Sequence, residues 1–281
     1  TIRDLDIQFP QLALLDIYVL NESGEYHLEQ SGLSRAKASA AIQSRYFVSS
    51  LHFKKGETKW IFLKVESKGP LILPAYLWKP NSRFQDQRIQ LFLFGAYYGL
   101  IVAMFFYNVF LYIWMRSKPY FYYILYIGFV GLALSMNDGL FNNYFSFSEG
   151  LPYTQLLYFA DSLVAASAAL FARVVLNTST RHVVLDKVLL IEVLLVVVAG
   201  ISVMLHYSMA GAMLVIIFAA IIAVTLIVVG VVSSYQGYRE GKFFCCAWGI
   251  LCISVITLIL VYAGLVPHNS FTGHIVHLGS A

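Results

Sequence analysis

Residues 210–234 read AGAMLVIIFAAIIAVTLIVVGVVSS, 25 residues without one charge. About 20 such residues reach across a bilayer as a helix, which satisfies its own backbone hydrogen bonds where no water is present. Working outward from this stretch, the same reading recurs. Upstream lie 91–115, closed by Arg116-Ser117-Lys118-Pro119, then 120–137, 153–176 and 188–205. Downstream lies 243–265. A seventh segment begins near Phe271 and has about 11 residues before Ala281, so the sequence is expected to stop inside its last helix.

The composition agrees. Of 281 residues, 59% are hydrophobic and only 12% are charged, about half the charged share of a soluble domain. Disordered, collagen-like and small disulfide-stapled chains are excluded. The charges are concentrated at one end: residues 1–90 carry 12 Lys/Arg and 9 Asp/Glu, and residues 91–281 carry 7 and 6. The first part suits water and the second does not. A net charge of +4 without a basic-aromatic array gives no footprint for nucleic acid. Cys245, Cys246 and Cys252 fall in one apolar run, so they do not report a redox compartment; Cys245 and Cys252, seven apart on one face, read as buried filler. The chain starts at Thr1 without a signal sequence, and some N-terminal sequence is expected to precede it.

Residues 3–80 alternate on the short period of β-strands. Candidate strands are 5–9, 14–20, 26–30, 45–53, 60–66 and 71–78, separated by Asn21-Glu22-Ser23-Gly24, Lys54-Lys55-Gly56-Glu57 and Lys68-Gly69-Pro70. In 60–66, Ile61, Leu63 and Val65 share the core face, with Trp60 and Phe62 opposite. Six such strands predict a β-sandwich. About 80 residues is small for one without disulfides, so earlier strands are expected to be missing. The expected fold is thus a membrane protein: a partial extracytoplasmic β-sandwich over 1–88, then a seven-helix transmembrane bundle over 89–281, cut within helix 7.

The connections carrying Arg116, Lys118, Arg173, Arg181, Lys187, Arg239 and Lys242 alternate with connections 138–152, 206–209 and 266–270, which have no Lys or Arg. By the positive-inside rule the basic side is cytoplasmic and the β domain lies outside.

The arrangement resembles a bacterial family, the seven-transmembrane receptors with diverse intracellular signalling modules. The resemblance is carried by Tyr97-Tyr98-Gly99-Leu100, Phe106-Tyr107-Asn108-Val109-Phe110-Leu111, Phe171-Ala172-Arg173-Val174-Val175-Leu176, Gly237-Tyr238-Arg239-Glu240-Gly241-Lys242-Phe243-Phe244 with Trp248, and Gly264-Leu265-Val266-Pro267-His268-Asn269 with His277-Leu278-Gly279-Ser280-Ala281. The β segment resembles the second half of that family's type-2 extracellular domain, a jelly-roll-like fold. The resemblance implies a receptor in the bacterial inner membrane with a periplasmic sensor and a carbohydrate-like ligand. It also implies a cytoplasmic diguanylate cyclase, phosphodiesterase or histidine kinase, none of which lies within this sequence, and a possible homodimer.

Chemistry of other kinds is scarce. The sequence has no P-loop, nucleophile elbow or HExxH, so no catalytic residue and no cofactor is assigned. His274 and His277 lack a nearby carboxylate or thiolate and read as a polar patch, not a metal site. Intramembrane charge is costly and therefore informative. Asp161, Glu192 (within a turn or so of Lys187) and the amide of Asn108 are the candidates for polar coupling between helices, with static hydrogen-bonded pairing as the competing reading. Gly95, Gly99 and Ala103 form a small-residue stripe, as do Ala165, Ala168, Ala169 and Ala172. Each stripe is either packing within the bundle or a seam between copies. Tyr26, His27, Trp60 and Trp78 have the chemistry to stack on sugars, but aromatics in strands are by default core.

Three functions compete. A ligand-sensing receptor predicts a sandwich, a non-catalytic bundle and an output domain further on. A transporter or membrane enzyme predicts internal repeats or paired ionisable groups, and only two deep acids are found. An accessory subunit predicts a sandwich that docks a protein and no output domain.

Overall fold

The computed structural model describes residues 2–10, 12–20, 26–32, 46–67, 73–141, 153–262 and 265–266. Six strands come first: β1 (Ile2–Ile7), β2 (Leu12–Leu20), β3 (Tyr26–Ser31), β4 (Phe47–His52), β5 (Ile61–Ser67) and β6 (Ala75–Trp78). They form two antiparallel three-stranded sheets. Sheet A has the order β4-β1-β6 and sheet B the order β3-β2-β5. Alternate residues of both sheets fill one core: Leu5, Ile7 and Leu51 from sheet A, Leu15, Ile17 and Val19 from sheet B. Ile61, Leu63 and Val65 pack against that core, as the alternation in the sequence requires. The register of β2 against β5 slips between Leu12 and Leu14. Beside this bulge, Gly32 has φ +129°, and a Cβ there would run into the Ala13 carbonyl, so only glycine fits. The β4–β5 turn is closed by Glu57, whose carboxylate accepts the Lys54 N–H at 2.6 Å and is held below its usual pKa by that bond.

Helices follow: α1 (Pro80–Met115), α2 (Lys118–Asn137), α3 (Tyr153–Val175), α4 (Thr178–Arg181), α5 (Val183–Leu205), α6 (Met209–Tyr235) and α7 (Arg239–Tyr262). Of these, α1, α2, α3, α5 and α6 are long and apolar enough to cross a membrane. The helix α7 stands where the sixth apolar segment was read. The seventh segment, with His274 and His277, lies outside the described residues.

Two helices start well ahead of the apolar runs that mark them. The first apolar run opens at residue 91, yet α1 begins at Pro80. Proline suits the first helical position, where no N–H is needed, and the polar residues after it are good helix formers. Similarly α5 begins at Val183, not 188, and takes Asp186 into its first turn, where the helix dipole favours a negative charge.

Two compact units divide the chain. The first holds the sandwich with the start of α1 and residues 134–154. The second holds the rest of the bundle, whose core joins Ala165, Ala168, Ala169 and Ala172 of α3 to Leu189 and Val196 of α5, Ile222, Leu226 and Val229 of α6, and Phe244 of α7.

Candidate functional sites

On sheet B the face opposite the core carries Tyr18, Leu28 and Phe62, which stand in one row across the three strands. Tyr26 meets Tyr18 edge-on at 6.5 Å between ring centroids and Phe62 at 6.1 Å. Tyr26 is 56% exposed, Phe62 51% and Trp60, just ahead of β5, 68%. The default of core burial is therefore wrong for Tyr26, and Trp60 lies on the outer side with Phe62, as the alternation of 60–66 requires. Gln30 and Lys64 flank Asp16 on the same face, which adds polar groups beside the rings. An apolar ring face bordered by hydrogen-bonding groups suits a ligand with both characters. His27 lies on the other side of β3, with its Nε2 3.8 Å from Glu29. Trp78 belongs to sheet A, where it sits beside Tyr76.

Sheet A buries charge on its outer face. Asp4 and Asp6 are 3% and 1% exposed. Arg83, one turn into α1, donates from Nε to Asp4 Oδ2 at 2.8 Å, and Ser50 Oγ donates to Asp4 Oδ1 at 2.9 Å. The sequence reading missed this cluster. Its one signal was the Asp4-x-Asp6 alternation inside an apolar strand.

Inside the bundle, Glu192 is buried and its Oε1 accepts from Thr225 of α6 at 2.8 Å. Lys187, suggested as its partner, is exposed instead. Half a turn of helix decides this: the side chains of residues 187 and 192, five apart, diverge, whereas Thr225 faces Glu192 across the α5–α6 seam. Asn108 is also buried, but it donates to the Met104 carbonyl one turn back in its own helix, at 2.8 Å, and so bridges no helices through that bond. Asp161 is half-buried on α3, next to Ser162, which packs against Gly200 of α5.

The stripe of Gly95, Gly99 and Ala103 is exposed along α1, and among the described residues a Cβ at either glycine would meet nothing within 4 Å. Ile101, by contrast, is 8% exposed and sits against Gly131 of α2.

The basic connections form a second polar centre. Arg173, at the end of α3, clamps Asp186 with Nε to Oδ1 at 2.7 Å and Nη2 to Oδ2 at 3.1 Å. Thr178 Oγ1 donates to the same Oδ1 at 2.6 Å. A two-pronged guanidinium–carboxylate contact fixes direction as well as distance. Arg181 lies over the Tyr238 ring at 3.7 Å and reaches Glu240 at 4.0 Å. Gly241 then allows the start of α7 against the Ser233–Ser234 backbone, where any side chain would collide. An open cleft of about 510 Å³ is bordered by Ser117 and Lys118, by Val174 and Asn177, and by Glu240, so these three connections meet at one end of the bundle. Tyr238 and Glu240 were quoted above only as parts of motifs, and Arg173 as part of one and as a cytoplasmic charge. Their contacts, and Asp186 and Thr178 entirely, were not foreseen.

Among the described residues no three His, Cys, Asp or Glu side chains gather as a metal site. In comparisons with known proteins, the family described as 7TM diverse intracellular signalling matches residues 90–281, and the one described as 7TMR-DISM extracellular 2 matches residues 2–79. No curated protein and no solved structure matches the chain.

Proposed function

The chain belongs to the 7TM diverse intracellular signalling family, and from that premise we propose that it is a receptor of the bacterial inner membrane. The sandwich senses a carbohydrate-like ligand in the periplasm, and the bundle passes a conformational signal to a cytoplasmic output module. The observation that supports this reading most is the exposed aromatic face of sheet B, where Tyr26, Phe62 and Trp60 offer ring surfaces beside Lys64 and Gln30. The orientation rests on the seven basic residues confined to alternate connections. Asp161, Glu192 and Asn108 are the polar groups through which helix positions couple in this reading. The exposed stripe of α1 is the place for a second copy. A ligand shifts such a receptor only by binding its two states with unequal affinity.

The test has two arms. The purified chain in lipid nanodiscs is titrated with a panel of neutral and charged oligosaccharides while intrinsic tryptophan fluorescence is followed. A sugar that binds is expected to lose at least tenfold in affinity in Tyr26→Ala and Phe62→Ala. Binding that survives both substitutions removes the aromatic face from the mechanism. In cells, single cysteines placed in 139–151 are expected to react with an impermeant reagent, and one at Ser179 to react only after the membrane is opened. The reverse pattern rejects the orientation, and the receptor reading with it.

A further inference from the structure

Sheet A passes its chain to α1 through a single residue. β6 ends at Trp78, Lys79 follows, and α1 starts at Pro80. One residue spans at most about 3.6 Å, so the link has no slack in length, although rotation about it remains open. Arg83 removes that freedom. Its guanidinium turns back onto β1, the central strand of the sheet, and bonds Asp4 at 2.8 Å. Arg83 is 2% exposed and Asp4 3%, so this pair is screened from water. Asp4 is itself held from both neighbouring strands: its backbone sits between Ser50 of β4 and Trp78 of β6, and Ser50 Oγ bonds its second oxygen. The Arg83 guanidinium also lies 4.8 Å from the Phe84 ring, and its Nη1 is buried without a hydrogen-bond partner among the described residues. A buried charge that loses its partner is strongly unfavourable. Between the paired arrangement and full release of Arg83 to water there is consequently no comfortable intermediate position.

We propose that Asp4 and Arg83 are positioning residues that lock the first turns of α1 to sheet A, so that a tilt of the sheet is a tilt of the outer end of α1. The pair makes the junction two-state, docked or released, where a flexible linker would absorb the motion. This deepens the receptor reading and rests on it for its purpose. The contact itself is tested without ligand or output, so the two can fail separately.

The test uses the full chain in nanodiscs, with Cys245, Cys246 and Cys252 replaced by Ser. Spin labels go on cysteines at Leu77 and Ile89, which are 54% and 61% exposed. Pulsed dipolar spectroscopy reads the distance distribution between β6 and the third turn of α1. The parent is expected to give a narrow distribution. Arg83→Gln and Asp4→Asn are each expected to at least double its width, and the double variant to be no broader than either single one. The exposed Arg88→Gln is expected to leave the width unchanged. Should Arg83→Gln not fold, Arg83→Lys keeps the charge but loses the fork and is expected to give an intermediate width. A parent-like width in the variants overturns the proposal, even when their thermal midpoint falls, because that result shows a stabilising contact and nothing more. Additive broadening in the double variant also overturns it, since the two residues would then act apart.

Discussion

Two stripes of small residues, one on α1 and one on α3, look alike in the sequence and end differently. On α3, Ala165, Ala168, Ala169 and Ala172 are all at most 8% exposed and form the centre of the bundle core. On α1, Gly95, Gly99 and Ala103 are exposed, and among the described residues no neighbouring atom stands within 4 Å of where a Cβ of either glycine would be. A small side chain permits close approach but supplies no attraction of its own. The attraction comes from the opposite helix. Leu189, Val196, Ile222 and Leu226 offer broad aliphatic surface to α3, whereas α1 spends its large side chains, Phe105 and Ile101, on Gly128 and Gly131 of α2. On α1 the knobs belong to α1 and the holes to its neighbour; on α3 the roles are exchanged.

The strongest way to break this contrast is to add bulk where α3 has none to spare. Ala169 is fully buried, so Ala169→Leu is expected to overpack the core and cost about 1–3 kcal/mol. This should be read as a drop in the thermal midpoint of the detergent-solubilised chain, and an unchanged midpoint would show that the α3 seam is looser than described.

A smaller effect is expected at Gly200 of α5. There a new Cβ would run into the hydroxyl of Ser162 and stand 2.7 Å from its Cβ, closer than carbon atoms pack, so the hydroxyl must turn aside and the helices must part. Glycine to alanine in a helix ordinarily gains about 1 kcal/mol. At this position the collision is expected to cancel that gain and leave Gly200→Ala slightly less stable than the parent. A gain of the full propensity value would mean that α3 and α5 do not touch there.

The least effect on folding is expected at Gly99. Gly99→Leu should leave the midpoint within about 0.5 kcal/mol of the parent or raise it, because no described residue stands in the way of the side chain. The same substitution sharpens the comparison in another respect. Where the stripe joins two copies, Gly99→Leu is expected to abolish disulfide-trapped dimers between Ala103→Cys chains while folding is unchanged. Dimers that persist would leave the α1 stripe facing lipid alone.

The strands show where a sequence is read most securely. The period of two places Ile61, Leu63 and Val65 inward and Phe62 outward without reference to any other element, because alternate side chains of a strand point to opposite faces. The same rule places Trp60 outward with Phe62, and it extends to Tyr26, for which the core default of strand aromatics fails. Helix ends were read less securely. Pro80 and Asp186 each mark a start, but hydropathy alone moved both starts inward to the first uninterrupted apolar run.

What the sequence by itself determined is the division of the molecule: a charged, alternating segment that can fold in water, followed by apolar segments of bilayer length, with basic residues confined to alternate connections. These follow from local rules, the reach of a helix and the period of a strand. What only the tertiary structure decided is which polar groups meet. Asp4 with Arg83 are 79 residues apart, Glu192 with Thr225 are 33 apart, and Arg173 with Asp186 are joined across a change of helix. A buried charge announces that it needs a partner, because an unpaired one is too costly to keep. It does not announce which partner, since that depends on how the sheets and helices turn their faces to one another, and no local pattern in the chain carries that information.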